Sequence, residues 1–83
     1  LHALREECRD ALLKTLPDPV SAQLDADVAW STERQRDGMV LVKPTGRVKD
    51  GSGAYVAGAW NCVVKNDGIR IKVVSLNRSG PPQ

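Results

Sequence analysis

The 83-residue sequence lacks most of the residues and motifs that point to chemistry at a protein site. It has no phenylalanine, one tyrosine, one histidine and two cysteines. The single histidine, His2, lies next to the start of the chain, where a solvated terminal residue is a better interpretation than a catalytic base. Two cysteines and one histidine cannot close a four-ligand zinc site, and the cysteines are too far apart in sequence for a thioredoxin-like pair. We therefore expect a protein that is not an enzyme, with no catalytic residues, no metal site and no cofactor.

Long hydrophobic runs are also missing. A membrane-spanning helix needs about 18 or more apolar residues in succession, and the sequence contains no such run. No signal-peptide pattern is present, and we interpret the chain, which starts at Leu1, as a trimmed or mature fragment whose targeting segment has been removed. The length allows a single small domain, which we place at residues 1–78, followed by a disordered tail at residues 79–83.

The patterns of apolar residues predict one helix followed by strands. Leu4, Cys8 and Leu12 recur at helical spacing within residues 1–16, and Pro17 ends that segment. The later part of the chain contains β-prone runs separated by turns that contain glycine. These predicted strands are residues 28–34, 39–48, 54–66 and 69–76. The sequence thus predicts an α+β fold with one N-terminal helix packed on a four-stranded, mostly antiparallel β-meander, and the alternative is an all-β sandwich.

The last predicted hairpin allows an assignment of its two faces. If Asp67-Gly68 is a two-residue turn, Lys65 lies opposite Arg70. Side chains alternate between the faces of a strand, so one face collects the apolar residues. These are Trp60, Cys62, Val64, Ile69, Ile71 and Val73. We expect this face to meet the helix and to form the core.

Both cysteines then point into the core from elements that must pack together. Cys8 lies on the apolar stripe of the helix and Cys62 on the core face of a strand. We predict a disulfide between them, which would stabilise the fold by up to about 4 kcal/mol, while two buried free thiols are the alternative. A disulfide indicates an oxidising compartment, so the expected location is extracytoplasmic: periplasmic, secreted or on the outer face of the cell envelope.

The opposite face of the last hairpin is the candidate binding surface. It carries Lys65, Arg70 and Lys72, with Tyr55 expected further down the same face. Residues 38–83 as a whole contain seven basic and two acidic side chains, whereas residues 1–37 contain five basic and eight acidic ones. Like charges opposite each other on neighbouring strands cost stability, and an anionic partner would relieve that cost. The alternative is a solvated outer face whose charges prevent edge pairing.

Several short motifs together carry a family resemblance over residues 8–76. After Cys8 and Leu12 comes Asp18-Pro19-Val20-Ser21-Ala22, and the later part contains Gly53-Ala54-Tyr55-Val56 and Trp60-Asn61-Cys62-Val63-Val64. In this combination the chain resembles small extracytoplasmic bacterial domains of unknown function, found behind a signal peptide, a lipoprotein anchor or a membrane helix. The resemblance implies a secreted or envelope-facing α+β module with a disulfide between the two cysteines. It implies no activity.

These observations lead us to expect a non-enzymatic, extracytoplasmic interaction module. Its partner would be an acidic protein, an acidic polymer or a lipid head group, and it would be anchored in a membrane only through a segment that this chain does not contain. One alternative is a nucleic-acid-binding domain that uses the basic face with Tyr55 stacking on a base, although a net charge of only +2 argues against it. A small inhibitor or immunity-type protein is another.

Overall fold

The computed structural model of the chain describes residues 2–79. One α-helix, α1 (His2–Thr15), is followed by six strands, with short 3-10 helices at Pro19–Ser21 and Asp27–Ala29. These are β1 (Gln23–Leu24), β2 (Ser31–Arg34), β3 (Met39–Lys43), β4 (Thr45–Lys49), β5 (Tyr55–Asn66) and β6 (Ile71–Ser79). The predicted α+β class with an N-terminal helix is confirmed. Of the predicted tail, Ser79 belongs to β6, where it pairs with Ala59, and residues 80–83 lie outside the described residues.

The helix forms where the apolar spacing predicts it. Leu4, Cys8 and Leu12 are the buried residues of α1 and lie on one stripe, because positions four apart fall on the same face. In the last turn the Thr15 hydroxyl donates a hydrogen bond of 2.8 Å to the carbonyl oxygen of Leu12. Pro17 follows and cannot continue the helical ladder. The helix therefore presents its apolar stripe to the sheet, its acidic residues and Lys14 are exposed, and Arg5 and Arg9 are half-buried at the border.

The strands form one curled antiparallel sheet, a half-barrel, with β5 at its centre. β3 and β4 pair with one edge of β5 and β6 with the other, while β2 and β1 pair with the outer edges of β3 and β4. The expected number of four strands is wrong. Pro44 divides the predicted strand at residues 39–48 into β3 and β4, since proline has no N–H for the ladder, and β1 is an additional short strand.

The turn between β5 and β6 is longer than the sequence predicted. Asn66 pairs with Ile71 and Lys65 with Lys72, so residues 67–70 form a four-residue loop. The two-residue turn, the pairing of Lys65 with Arg70 and the assignment of Ile69 to the core are therefore wrong. Lengthening a turn by two residues does not change which face of the sheet each side chain occupies, so the other predicted core residues remain on the core face.

The core lies between α1 and one face of the sheet, in two adjoining clusters. The larger buried cluster contains Leu4, Cys8, Trp30, Val40, Val42, Cys62 and Val64. The smaller one contains Leu12, Val48 and Trp60. A disulfide joins Cys8 of α1 to Cys62 of β5 across a Cα–Cα distance of 6.1 Å, so the predicted covalent link is confirmed. The opposite, outer face of the sheet is not covered by α1.

Candidate binding surface

The candidate surface begins with two lysines on the outer face of the β5–β6 hairpin. Lys65 is directly opposite Lys72, and both are exposed. Cβ atoms in such a cross-strand pair lie only about 5 Å apart, so two ammonium groups share one patch of surface. Arg70, in the turn, borders the same shallow pocket of about 390 Å³ as the two lysines. The structure thus brings together the three basic residues that the sequence singled out, although with a different pairing.

Side-chain oxygens fix the conformation of the β5–β6 turn. The Asp67 carboxylate accepts hydrogen bonds from the backbone N–H groups of Ile69 at 3.0 Å and Arg70 at 2.8 Å. The Asn66 side-chain oxygen accepts a third, from the N–H of Gly68, at 3.0 Å. The N–H of Arg70, then that of Ile69, lowers the pKa of Asp67 below its ordinary value of 3.8, because both bonds favour the ionised carboxylate. This turn therefore holds Arg70 beside the two lysines, and each of these three backbone N–H groups has a hydrogen-bond acceptor within the turn.

A second turn lies beside the first at the same end of the sheet. It connects β2 to β3, and its Gly38 carbonyl accepts a hydrogen bond of 3.0 Å from the N–H of Asn66. Gly38 has a φ of +74°, and a Cβ there would lie 2.8 Å from the carbonyl oxygen of Asn66. Glycine is therefore required at this position for both the turn and the close approach of the two hairpins.

The second turn adds one basic residue that our sequence interpretation missed. Arg36 is exposed at this end of the sheet. We call the resulting surface the hairpin end and define it by its four basic residues: Arg36, Lys65, Arg70 and Lys72. Arg34, at the end of β2, pairs with the core residue Val40, so its side chain lies on the helix side of the sheet and not with Lys65 and Lys72. Only Asp37 and Asp67 are acidic within the two turns, and in the described part of the chain none of the four basic residues forms a salt bridge. The sequence could have predicted this proximity, because the first and third turns of an antiparallel meander lie at the same end of the sheet.

Tyr55 does not belong to the hairpin end. It is ten residues from Lys65 along β5, which corresponds to roughly 33 Å of extended strand. Its hydroxyl donates a hydrogen bond of 2.9 Å to the carbonyl oxygen of Ser21, and the Lys49 ammonium lies 5.6 Å from its ring centre. The structure therefore gives Tyr55 local partners at the opposite end of the molecule.

The remaining reactive residue types are engaged in other contacts. His2 lies 3.1 Å from a carboxylate oxygen of Asp27 and 3.4 Å from one of Glu6. Both cysteines are in the disulfide. Across residues 2–79, no three His, Cys, Asp or Glu side chains are grouped so that they could hold a metal ion. No helix in this part of the chain is long and apolar enough to cross a membrane.

Comparisons of the chain with family models, with curated proteins and with solved structures found no match. The resemblance to small extracytoplasmic bacterial domains therefore stays a hypothesis that rests on the sequence motifs.

Proposed function

We propose that this protein is a non-enzymatic, extracytoplasmic interaction module that binds an anionic partner through the hairpin end. The observation that carries the proposal is the clustering of four exposed basic residues at and beside two neighbouring turns that contain only two acidic ones. The partner belongs to the class of acidic proteins, acidic polymers or lipid head groups.

The energetics of the cluster support an anionic partner. Lys65 and Lys72 repel each other across β5 and β6, and no salt bridge within residues 2–79 offsets that repulsion. Lys43, on β3, has such a partner, because its ammonium lies 2.8 Å from the carboxylate of Glu33. A bound anion would supply at the hairpin end the compensation that the fold supplies at Lys43, and it would also be steered towards the surface by the positive field.

The extracytoplasmic location is supported by the disulfide. Bonds of this kind form and persist in oxidising compartments and are rare in the cytosol. We expect the full gene product to carry a targeting or anchoring segment and to appear in the periplasmic, secreted or envelope fraction of cells. Recovery of the protein only from the cytosol, with Cys8 and Cys62 reduced, would contradict this part of the proposal.

The non-enzymatic character is supported by the surroundings of the reactive residue types. Thiols are the strongest nucleophiles among the side chains, and both are consumed by the disulfide. The imidazole of His2 is largely exposed and contacts the carboxylates of Glu6 and Asp27.

Charge reversal at the hairpin end tests the binding proposal. We expect wild-type protein to be retained on immobilised heparin, a sulfated polymer, and the double variant Arg70→Glu with Lys72→Glu to bind it at least about tenfold more weakly. The matched control is Arg47→Glu with Lys49→Glu, which changes the net charge by the same amount on exposed positions of β4. Equal losses in both variants would mean that net charge alone governs retention, and no loss in the first would refute the hairpin end.

A further inference from the structure

We propose that the anionic partner is a lipid surface and that Ile69 enters its interfacial region when the hairpin end docks. This inference rests on the proposed function and narrows its partner class to one member. The decisive juxtaposition is an almost fully exposed aliphatic residue in a four-residue turn, next to the basic side chains of Lys65, Arg70 and Lys72.

Ile69 is the most unusual side chain of the hairpin end. It lies in the four-residue turn between β5 and β6 and is 91% exposed. Val74, 51% exposed, borders the same shallow pocket as Lys65, Arg70 and Lys72. Transfer of such aliphatic groups out of water is favourable, and the long stems of lysine and arginine can bury carbon while their charged groups stay at the phosphates.

Three backbone N–H groups of the turn have hydrogen-bond acceptors within the protein and do not depend on water. Unsatisfied N–H groups cost free energy where water is scarce, and this cost keeps lipid-exposed loops out of the hydrocarbon region of a bilayer. Here the N–H groups of Gly68, Ile69 and Arg70 all donate to side-chain oxygens within the turn. The tip can therefore lose water around Ile69 without leaving these three donors unpaired.

The shape of the hairpin end favours a lipid surface over a protein partner. A stable protein interface buries about 800 Å² on each side, usually as a broad patch, whereas the β5–β6 turn presents a single almost fully exposed aliphatic residue, Ile69. A partner strand could instead add to the free edge of β6, but the register shift opposite Val63 and Val64 marks a bulge at Val74 that interrupts this edge. Anionic head groups require neither a broad patch nor a regular edge.

The four basic residues then supply the long-range part of the attraction. Each lysine or arginine close to an anionic leaflet adds to binding, and the effect decays over a Debye length of about 8 Å at physiological salt. Arg36 lies on the neighbouring turn, so the second hairpin adds a cation beside the β5–β6 turn.

Partitioning to vesicles tests the inference with two single-residue variants. We expect the protein to cosediment with phosphatidylcholine vesicles that contain about 30% phosphatidylglycerol and not with pure phosphatidylcholine. Ile69→Asp should lower the partition coefficient by at least about tenfold. Val20→Asp, which changes a valine that is 95% exposed near the opposite end, should bind like the wild type apart from a small charge effect.

Insertion itself is tested with Ile69→Trp. The native Trp30 and Trp60 are almost fully buried, so a change in emission on binding would report the new side chain. We expect a blue shift with anionic vesicles and quenching by brominated acyl chains. An unshifted, unquenched emission in the bound state would overturn the insertion of this residue.

The outcomes separate this inference from the proposed function. If heparin binding depends on Arg70 and Lys72 but the protein does not bind anionic vesicles, the proposed interaction module is supported and the lipid surface is refuted. If vesicles bind but Ile69→Asp binds as well as Val20→Asp, the attachment is purely electrostatic and the insertion proposal is wrong. If neither heparin nor vesicles respond to the charge reversal, the proposed function itself fails.

Discussion

Trp60 occupies its place in the core because the residue two positions before it has no side chain. A Cβ built on Gly58 would lie 2.5 Å from the outermost atom of the indole ring. The guanidinium of Arg78 lies 5.6 Å from the ring centre, so the indole ring packs between the backbone of Gly58 on β5 and a cation from β6.

Gly58→Ala should therefore destabilise the protein. An added methyl group forces the Trp60 ring away from Leu12 and Val48, and overpacking of this kind costs about 1–3 kcal/mol. Gly51→Ala is the matched control, since nothing lies within 4 Å of a Cβ at that position. Urea denaturation of both variants checks this, and equal free energies of unfolding would contradict the packing argument.

At the residue scale, burial could be predicted wherever alternation is uninterrupted. Cys8 and Cys62 were assigned to the core from helical and strand spacing, and both are fully buried. Ile69 could not be placed in the same way, because a strand pattern does not reveal where pairing stops. The side chains of Asn66 and Asp67 accept hydrogen bonds from backbone N–H groups. The turn therefore also includes Ile69 and Arg70, which the sequence pattern assigned to a strand.

The disulfide is the strongest single connection between the helix and the sheet. It joins α1 to β5 over a sequence separation of 54 residues. A short helix of 14 residues is marginal without tertiary contacts, so the link restricts the unfolded chain and keeps α1 at its docking face.

Reduction of the disulfide should lower the free energy of unfolding by about 2–4 kcal/mol. Urea denaturation with and without dithiothreitol measures this loss. The double variant Cys8→Ala with Cys62→Ala serves as control, since its stability should not respond to the reductant. A wild-type protein equally stable under both conditions would show that packing alone holds α1 on the sheet.

The β5–β6 turn should make stability depend on pH in the acidic range. Its backbone hydrogen bonds lower the pKa of Asp67 below 3.8, so the ionised form stabilises the folded state. That contribution is complete above the unfolded-state pKa and is lost as the pH falls through the lower, folded-state pKa. The difference in unfolding free energy between wild type and Asp67→Ala should thus be larger at about pH 6 than at about pH 2. A constant difference would argue against these hydrogen bonds.

At the scale of elements, the sequence was sufficient to predict the helix and the main strands but not their interruptions. The predicted second strand, residues 39–48, contains Pro44, and the structure divides it at that residue. The register nevertheless continues across the break: Val42 pairs with Cys62 and Thr45 with Ala59, and the Pro44 carbonyl accepts a hydrogen bond from Trp60. β1 was missed because a two-residue strand has no pattern of its own.

For the whole molecule, the important property is the arrangement of charge in space. The sequence separates an acidic first part from a basic second part, and Arg36 belongs to the acidic part. Folding brings its turn beside the β5–β6 turn through the contact between Gly38 and Asn66. A linear count of charges could not find this surface, whereas the order of strands in an antiparallel sheet determines it.

The position of the binding surface can be measured by NMR. We expect a short heparin oligosaccharide, titrated into 15N-labelled protein, to shift the amide signals of residues 34–38 and 65–73 at the hairpin end. Signals of residues 49–54, in the turn at the opposite end of the sheet, should remain in place. Shifts confined to that opposite turn or to the exposed face of α1, or no shifts at all, would contradict the account.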